Sequence, residues 1–176
     1  MSYKTITLTI LLALSALGGL IYSNLPFSNP PETVSKVDLY RYVGTWYEIS
    51  SIPAFFSRGC SCSTANYTDL GDGTIKVWNS CLKNGKREGV EGKAWPADET
   101  NSKLKVQFYW PFTGYYWIVA LDAEYRWAVV SDPIKEYMWI LSRTKEMQEN
   151  VYNNLISYLK NRDLPVEKLV RTNENC

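Results

Sequence analysis

From Tyr42 to Leu141 the chain divides into eight short strand-favouring segments separated by turn signals, and that spacing narrows the available folds more than any other feature. The segments are Gly44 to Ile49, Cys62 to Asp69, Thr74 to Leu82, Glu88 to Trp95, Lys103 to Trp110, Tyr115 to Leu121, Trp127 to Val130 and Tyr137 to Leu141. Asp72-Gly73 and Asn84-Gly85 mark hairpins on either side of the third segment, because both pairs tolerate the positive φ that tight hairpins require. Lys103 to Trp110 sets Leu104, Val106 and Phe108 against Lys103, Lys105, Gln107 and Tyr109, which makes one dry face and one wet face. A helix follows over Lys145 to Lys160, with Thr144 placed to cap it and Met147, Val151, Leu155 and Leu159 four apart on one stripe. Strands in this number, followed by one helix, predict an all-β fold: an eight-stranded antiparallel up-and-down β-barrel with a C-terminal α-helix packed outside. Closure removes the sheet edges, and the helical stripe needs an apolar partner. A β-sandwich would space its strands similarly, so periodicity alone leaves that alternative open.

The chain has 176 residues, enough for one domain with a real core. Its 19 basic and 18 acidic residues leave a formal net charge of +1, and no long run of either sign gives the footprint of a nucleic-acid binder. There is no histidine, which removes Ser-His-Asp and Cys-His catalysis together with His-ligated zinc and haem. No metal and no cofactor are expected. Seven Trp and thirteen Tyr suit both strands and an apolar ligand site with polar tips.

The amino terminus reads as an export signal. Lys4 supplies a positive start, and Thr5 to Tyr22 carries no charge. Residues 1–25 fit either a signal peptide, cut after Ala16-Leu17-Gly18, or a retained membrane anchor. Residues 26–36, with Pro26, Pro30 and Pro31, are expected to form an extended spacer ahead of a domain spanning 37–176. The protein would then be periplasmic, membrane-associated or secreted.

Several motifs resemble one family. Val43-Gly44-Thr45-Trp46-Tyr47-Glu48-Ile49, Ser63-Thr64-Ala65-Asn66-Tyr67, Glu91-Gly92-Lys93-Ala94, Tyr116-Trp117-Ile118-Val119-Ala120-Leu121-Asp122 and Trp139-Ile140-Leu141-Ser142-Arg143 occur in the order found in lipocalins. The resemblance covers about Val37 to Val170 and points to the bacterial outer-membrane and apolipoprotein D groups, although the first cysteine is Cys60 and no lipobox cysteine follows the leader. The resemblance implies a barrel binding a small hydrophobic ligand. In it Gly44, Trp46 and Arg143 are structural, with Trp46 plugging the closed end under the Arg143 guanidinium. It also implies that Tyr67, Asn79, Phe108 and Trp139 line the pocket. Alternation then adds Ala65, Val77, Leu104, Val106 and Leu141, with Tyr116, Ile118 and Ala128 as further candidates.

If Trp46 marks the closed end, chain order places Ile52 to Gly59, Lys83 to Arg87, Trp110 to Tyr115 and Ser131 to Glu136 at the open one. Phe55 and Phe56 in the first of these loops, and Trp110 and Phe112 in the third, are apolar where a surface loop should be polar. Such loops fold over the mouth, touch a membrane surface or pack on each other. Lys83, Lys86 and Arg87 offer charge to a ligand head group, or form a solvated turn.

Cys60, Cys62, Cys81 and Cys176 are an even set behind an export leader, so two disulfides are expected, with three connectivities available. Strand order lets Cys60 or Cys62 reach Cys81. Resemblance to the apolipoprotein D stretch whose cysteine pairs with the carboxyl-terminal tail selects Cys60–Cys81 and Cys62–Cys176. A thiol-dependent lipid isomerase or de-epoxidase is the rival reading, but Arg58 is the only cation near Cys60 and Cys62 to stabilise a thiolate. The expected function is therefore not catalytic: it is the binding, transport or storage of a small hydrophobic ligand, a fatty acid or lysophospholipid, with a pigment or retinoid carrier as the alternative.

Overall fold

The structure, a computed structural model, describes residues 27–172. The leader and Cys176 lie outside the described residues. Nine strands occur: β1 (Gly44–Ser51), β2 (Ser61–Asp69), β3 (Ile75–Lys83), β4 (Lys86–Pro96), β5 (Lys103–Tyr109), β6 (Phe112–Leu121), β7 (Trp127–Ser131), β8 (Met138–Ser142) and β9 (Val170–Arg171). Two helices flank them, α1 (Leu39–Tyr42) and α2 (Glu149–Lys160).

Each strand from β2 to β7 pairs antiparallel with the next, and β1 pairs with both β8 and β2, so eight strands close into a barrel. The closure strand does two jobs in sequence. Its first half pairs with β2, from Gly44 opposite Tyr67 to Tyr47 opposite Thr64. A bulge between Glu48 and Ser50 then turns it, and its second half gains β9, with Ser50 opposite Arg171 and Ser51 opposite Val170. The Glu48 carboxylate ties this join by accepting from Ser51 Oγ at 2.9 Å and Thr172 Oγ1 at 2.7 Å.

Alternation sorts the apolar residues into two clusters. One fills the barrel and includes Trp46, Tyr67, Val77, Ile118, Val130 and Leu141. The other lies outside, where Leu155 and Leu159 of α2 pack on Ile49, Val119, Met138 and Ile140. Bulges make this possible: the one in β6 between Ile118 and Ala120 lets Val119 and Ala120 both join the outer cluster.

Three expectations need correction. The helix begins at Glu149, not Lys145, and Thr144 does not cap it. The Thr144 hydroxyl instead donates to Glu146 O at 2.7 Å, which holds residues 144–146 in a turn, a local bond that competes with helix initiation. The chain ahead of Val37 is not a free spacer. Phe27 packs edge-on against Tyr115 and Trp117 (5.3 and 6.1 Å), Pro31 is buried, and Val34 N donates to Ile118 O at 3.0 Å. An extended proline-rich strand suits this position, because prolines bring no backbone N–H that would need a partner. Finally, α1 and β9 were not foreseen; both are too short to show a period.

Candidate ligand site

The closed end is built from one glycine upward. Gly44 adopts φ +97, and a Cβ there would stand 3.3 Å from Arg143 Nη1, so this position needs both the conformational freedom and the empty space. Into that space Arg143 places its guanidinium 3.8 Å from the Trp46 ring centroid while donating to Arg41 O (2.7 Å), Thr45 O (3.0 Å), Tyr42 O (3.1 Å) and Tyr125 O (3.3 Å). Trp46 Nε1 donates to Tyr42 O at 2.8 Å, so the fully buried indole has no unpaired polar atom.

Above Trp46 the floor is aromatic. The Tyr42 ring lies 5.1 Å from Trp46 and stacks on Tyr67 at 5.9 Å, and Tyr116 meets both tyrosines edge-on. Their hydroxyls form a chain, Tyr42 to Tyr116 at 2.8 Å and Tyr116 to Tyr67 at 3.0 Å. Three phenols carry three protons and these two bonds use two, so one O–H is left to donate elsewhere. Burial pushes the Tyr67 phenol up to about 12 and holds Tyr42 and Tyr116 well above the ordinary tyrosine range. The floor is therefore a neutral donor-acceptor cluster that carries no charge at ordinary pH.

The rest of the interior shows a gradient. Inward residues level with the floor are closed off, with Val77 and Leu104 at 3% exposure and Ile118 at 0%. Higher up, Asn79, Val90, Val106, Phe108 and Trp139 face inward by register and keep accessible surface. Solvent access to the inner face is thus confined to the upper half. Gly92 helps to keep that half open: a Cβ at this inward position would come within 2.6 Å of Phe108 Cδ1, so only glycine lets that ring lie flat against β4. Asn79 Oδ1 is the one buried side-chain polar atom without a hydrogen-bond partner among the described residues.

At the rim, an aromatic series descends from Phe55 to Phe56, Tyr137 and Trp139 with centroids 5.3, 5.8 and 6.0 Å apart. The apolar loops neither cover the mouth nor bury each other: Phe55, Phe56, Trp110 and Phe112 are 59–86% exposed. Arg87, expected at the mouth, lies at that end but on the outer face, because its place in β4 opposite Leu82 points it outward, where Nη1 donates to Ser80 Oγ at 3.0 Å. Lys83 sits one step further round on the inner side of the rim, in line with Cys81 and over Gly59.

All nine residues expected to line the pocket, Tyr67, Val77, Asn79, Leu104, Val106, Phe108, Tyr116, Ile118 and Trp139, share the inner face, but Val77, Leu104 and Ile118 lie in the closed-off half. The strand pattern missed Tyr42, which enters from α1 and lies outside every strand, and Val90, whose alternation with Glu91 and Lys93 would have revealed it. A Cys60–Cys81 disulfide joins the first rim loop to β3, with Cα atoms 5.4 Å apart. The expected Cys62–Cys176 pair lies outside the described residues, among which no cysteine is free.

Comparison with known proteins agrees with this architecture. A lipocalin-like domain model matches residues 37–174. Temperature-induced lipocalin-1 of Arabidopsis thaliana is 40% identical over 151 residues, 80% of this chain and 81% of that protein. The outer membrane lipoprotein Blc of Escherichia coli K12 is 38% identical over 147 residues (80% and 83%), and apolipoprotein D of Macaca fascicularis 34% over 184 aligned positions (95% and 96%). Among solved structures, insecticyanin from the tobacco hornworm Manduca sexta superposes with a TM-score of 0.69 at 24% identity, covering 85% of this chain and 87% of that one. With the barrel closed over an Arg143-capped Trp46, and with identity at this level along most of its length, the chain belongs to the lipocalin family.

Proposed function

We propose that this chain carries a single-chain amphiphile, a fatty acid or lysophospholipid, with the tail in the upper half of the barrel and the head at the rim. Lipocalins bind small hydrophobic ligands, and the finer assignment rests on one observation, the change from closed-off to accessible inward residues above Tyr116. Below that level the chain fills its own interior, which leaves a shallow apolar slot open to solvent. Charge then orients the ligand. The floor phenols are neutral, and Arg143 lies beneath Trp46 and outside the slot, whereas Lys83 stands on the inner rim. A carboxylate or phosphate gains its partner at the rim and finds none below. Each buried methylene contributes ~0.8 kcal/mol, so a long tail binds without many polar contacts and selectivity is loose. Asn79 Oδ1 and the spare phenol proton are left for a neutral polar group or a bridging water.

The role is carriage, not catalysis, in an exported setting. Relatives named as an outer membrane lipoprotein and an apolipoprotein support that setting, and a membrane surface is the natural source or destination of such a cargo. Displacement of a fluorescent fatty acid tests the assignment. Saturable binding that quenches Trp139 and is abolished by Val106→Trp, which fills the slot, is the expected result. Absence of saturable binding for any acyl chain, or binding indifferent to Val106→Trp, overturns it.

A further inference from the structure

We infer that the open end of the barrel docks on an anionic lipid bilayer, so that the mouth faces the membrane. Three independent features of the molecule converge on this surface, and none depends on what the barrel carries.

The first is apolar exposure. Phe55, Trp110 and Phe112 are 74–86% exposed, with Phe56, Tyr109 and Ile134 beside them at 59–70%, and all six lie on loops or strand ends of the open end. Monomeric soluble proteins seldom leave so many large apolar side chains on one end. Trp and Phe that project from a surface suit the boundary between head groups and acyl chains. At the other end, among the described residues, Tyr40 is as bare at 82% and Leu70 is half-exposed at 48%.

The second is charge. Arg58, Lys83, Lys86 and Arg87 stand on two loops of the open end, and the exposed carboxylates there are Glu88 and Glu136. At the closed end acidic and basic side chains alternate and pair, as in Arg41–Glu124, Lys93–Asp72, Lys103–Asp98 and Arg126–Asp122. A negative surface therefore attracts the aromatic end, where cations outnumber exposed carboxylates, more than the balanced closed end.

The third is the direction of the chain. The strap on the outside of β6 runs from the floor, where Val37 N bonds to Thr100 O, up to Phe27 against Tyr115. Tyr115 is the fourth residue of β6 counted from the rim, so Phe27 stands only about 10 Å below the mouth. The amino-terminal end of the described residues thus lies beside the same end as the exposed rings.

Hydroxyl-radical footprinting of the full chain, read residue by residue by mass spectrometry, tests the orientation. The probes are vesicles of phosphatidylcholine alone and of phosphatidylcholine with phosphatidylglycerol. On the anionic vesicles, oxidation of Phe55, Trp110 and Phe112 falls to near background while Tyr40 and Tyr158 react as they do in buffer. Lys86→Ala and Arg87→Ala each lower partition onto those vesicles about fivefold. Equal oxidation of rim and closed end on vesicle-bound protein, or protection of Tyr40, overturns the inference. So does rim protection that grows with protein concentration in the absence of lipid, which would mean that a second copy covers the rings. Partition insensitive to both cations and to salt rejects the anionic surface.

Discussion

Removing the Arg143 guanidinium is the sharpest test of how the barrel is closed. In Arg143→Ala four carbonyls lose a charged donor, at 2.7, 3.0, 3.1 and 3.3 Å, and the Trp46 ring loses the cation 3.8 Å from its centroid. A hydrogen bond to a charged group contributes about 1.5–3 kcal/mol when buried, but these carbonyls sit near solvent and water recovers part of each, so ~0.5–1 kcal/mol apiece is the fitting scale. The cation–π contact adds ~1 kcal/mol. The total comes to about 3–5 kcal/mol, equivalent to a fall in Tm of roughly 6–20 °C for a domain of this size. Arg143→Lys keeps the charge but not the planar fork, so it reaches one carbonyl in place of four and recovers only ~1 kcal/mol. Urea unfolding followed by tryptophan fluorescence measures both. The ligand slot lies at the far end of the barrel, so fatty-acid affinity extrapolated to the folded fraction stays within twofold or so of the parent. A stability loss below ~1 kcal/mol in Arg143→Ala, or a lysine variant as stable as the parent, would refute the claim that the fork closes the floor.

Two further perturbations probe the interior. Gly92→Ala places a methyl 2.6 Å from Phe108 Cδ1, forcing the ring into the slot; stability drops by ~1–3 kcal/mol and fluorescent fatty acid binds more weakly, whereas Gly114→Ala, whose Cβ meets Val106 Cγ1 at 3.4 Å, is tolerated in both assays. Raising the pH tests the phenol cluster. Tyr67 titrates at about 12 in the folded chain against 10.0 for an ordinary phenol, so the unfolded chain loses its proton first and stability, whole below pH 10, falls as pH climbs toward 12. The Tyr67 share is about 3 kcal/mol. Tyrosinate absorbance should therefore show a late group of phenols that ionises together with unfolding; one reversible step for every tyrosine near pH 10, with the barrel intact, contradicts the burial argument.

The two ends of the protein were unequally legible. Gly44, Trp46 and Arg143 form a recognisable series, and the structure joins them in one contact because φ +97 at Gly44 leaves room for the guanidinium. Helix α2 was found by its stripe but not its start, since Thr144 had two uses for one hydroxyl and a periodic pattern does not choose between them. The proline-rich stretch looked like a tether because local composition shows no partner; its partners, Tyr115 and Trp117, lie about ninety residues away along the chain. Arg87 was assigned to the mouth from its place in a turn, and one step of register turned it outward.

What the sequence determined by itself is the parity of each strand. Side chains alternate between faces for reasons of local covalent geometry, so within one strand Ala65 and Tyr67, Val77 and Asn79, or Leu104 and Val106 had to share a face, while register joins those faces into one wall. How far that face is filled was decided only by tertiary structure. The floor depends on phenols 74 and 49 residues apart meeting at 2.8 and 3.0 Å, one of them from a helix outside the strand series. No local pattern records such a meeting, because it exists only after the ring of strands has closed around it.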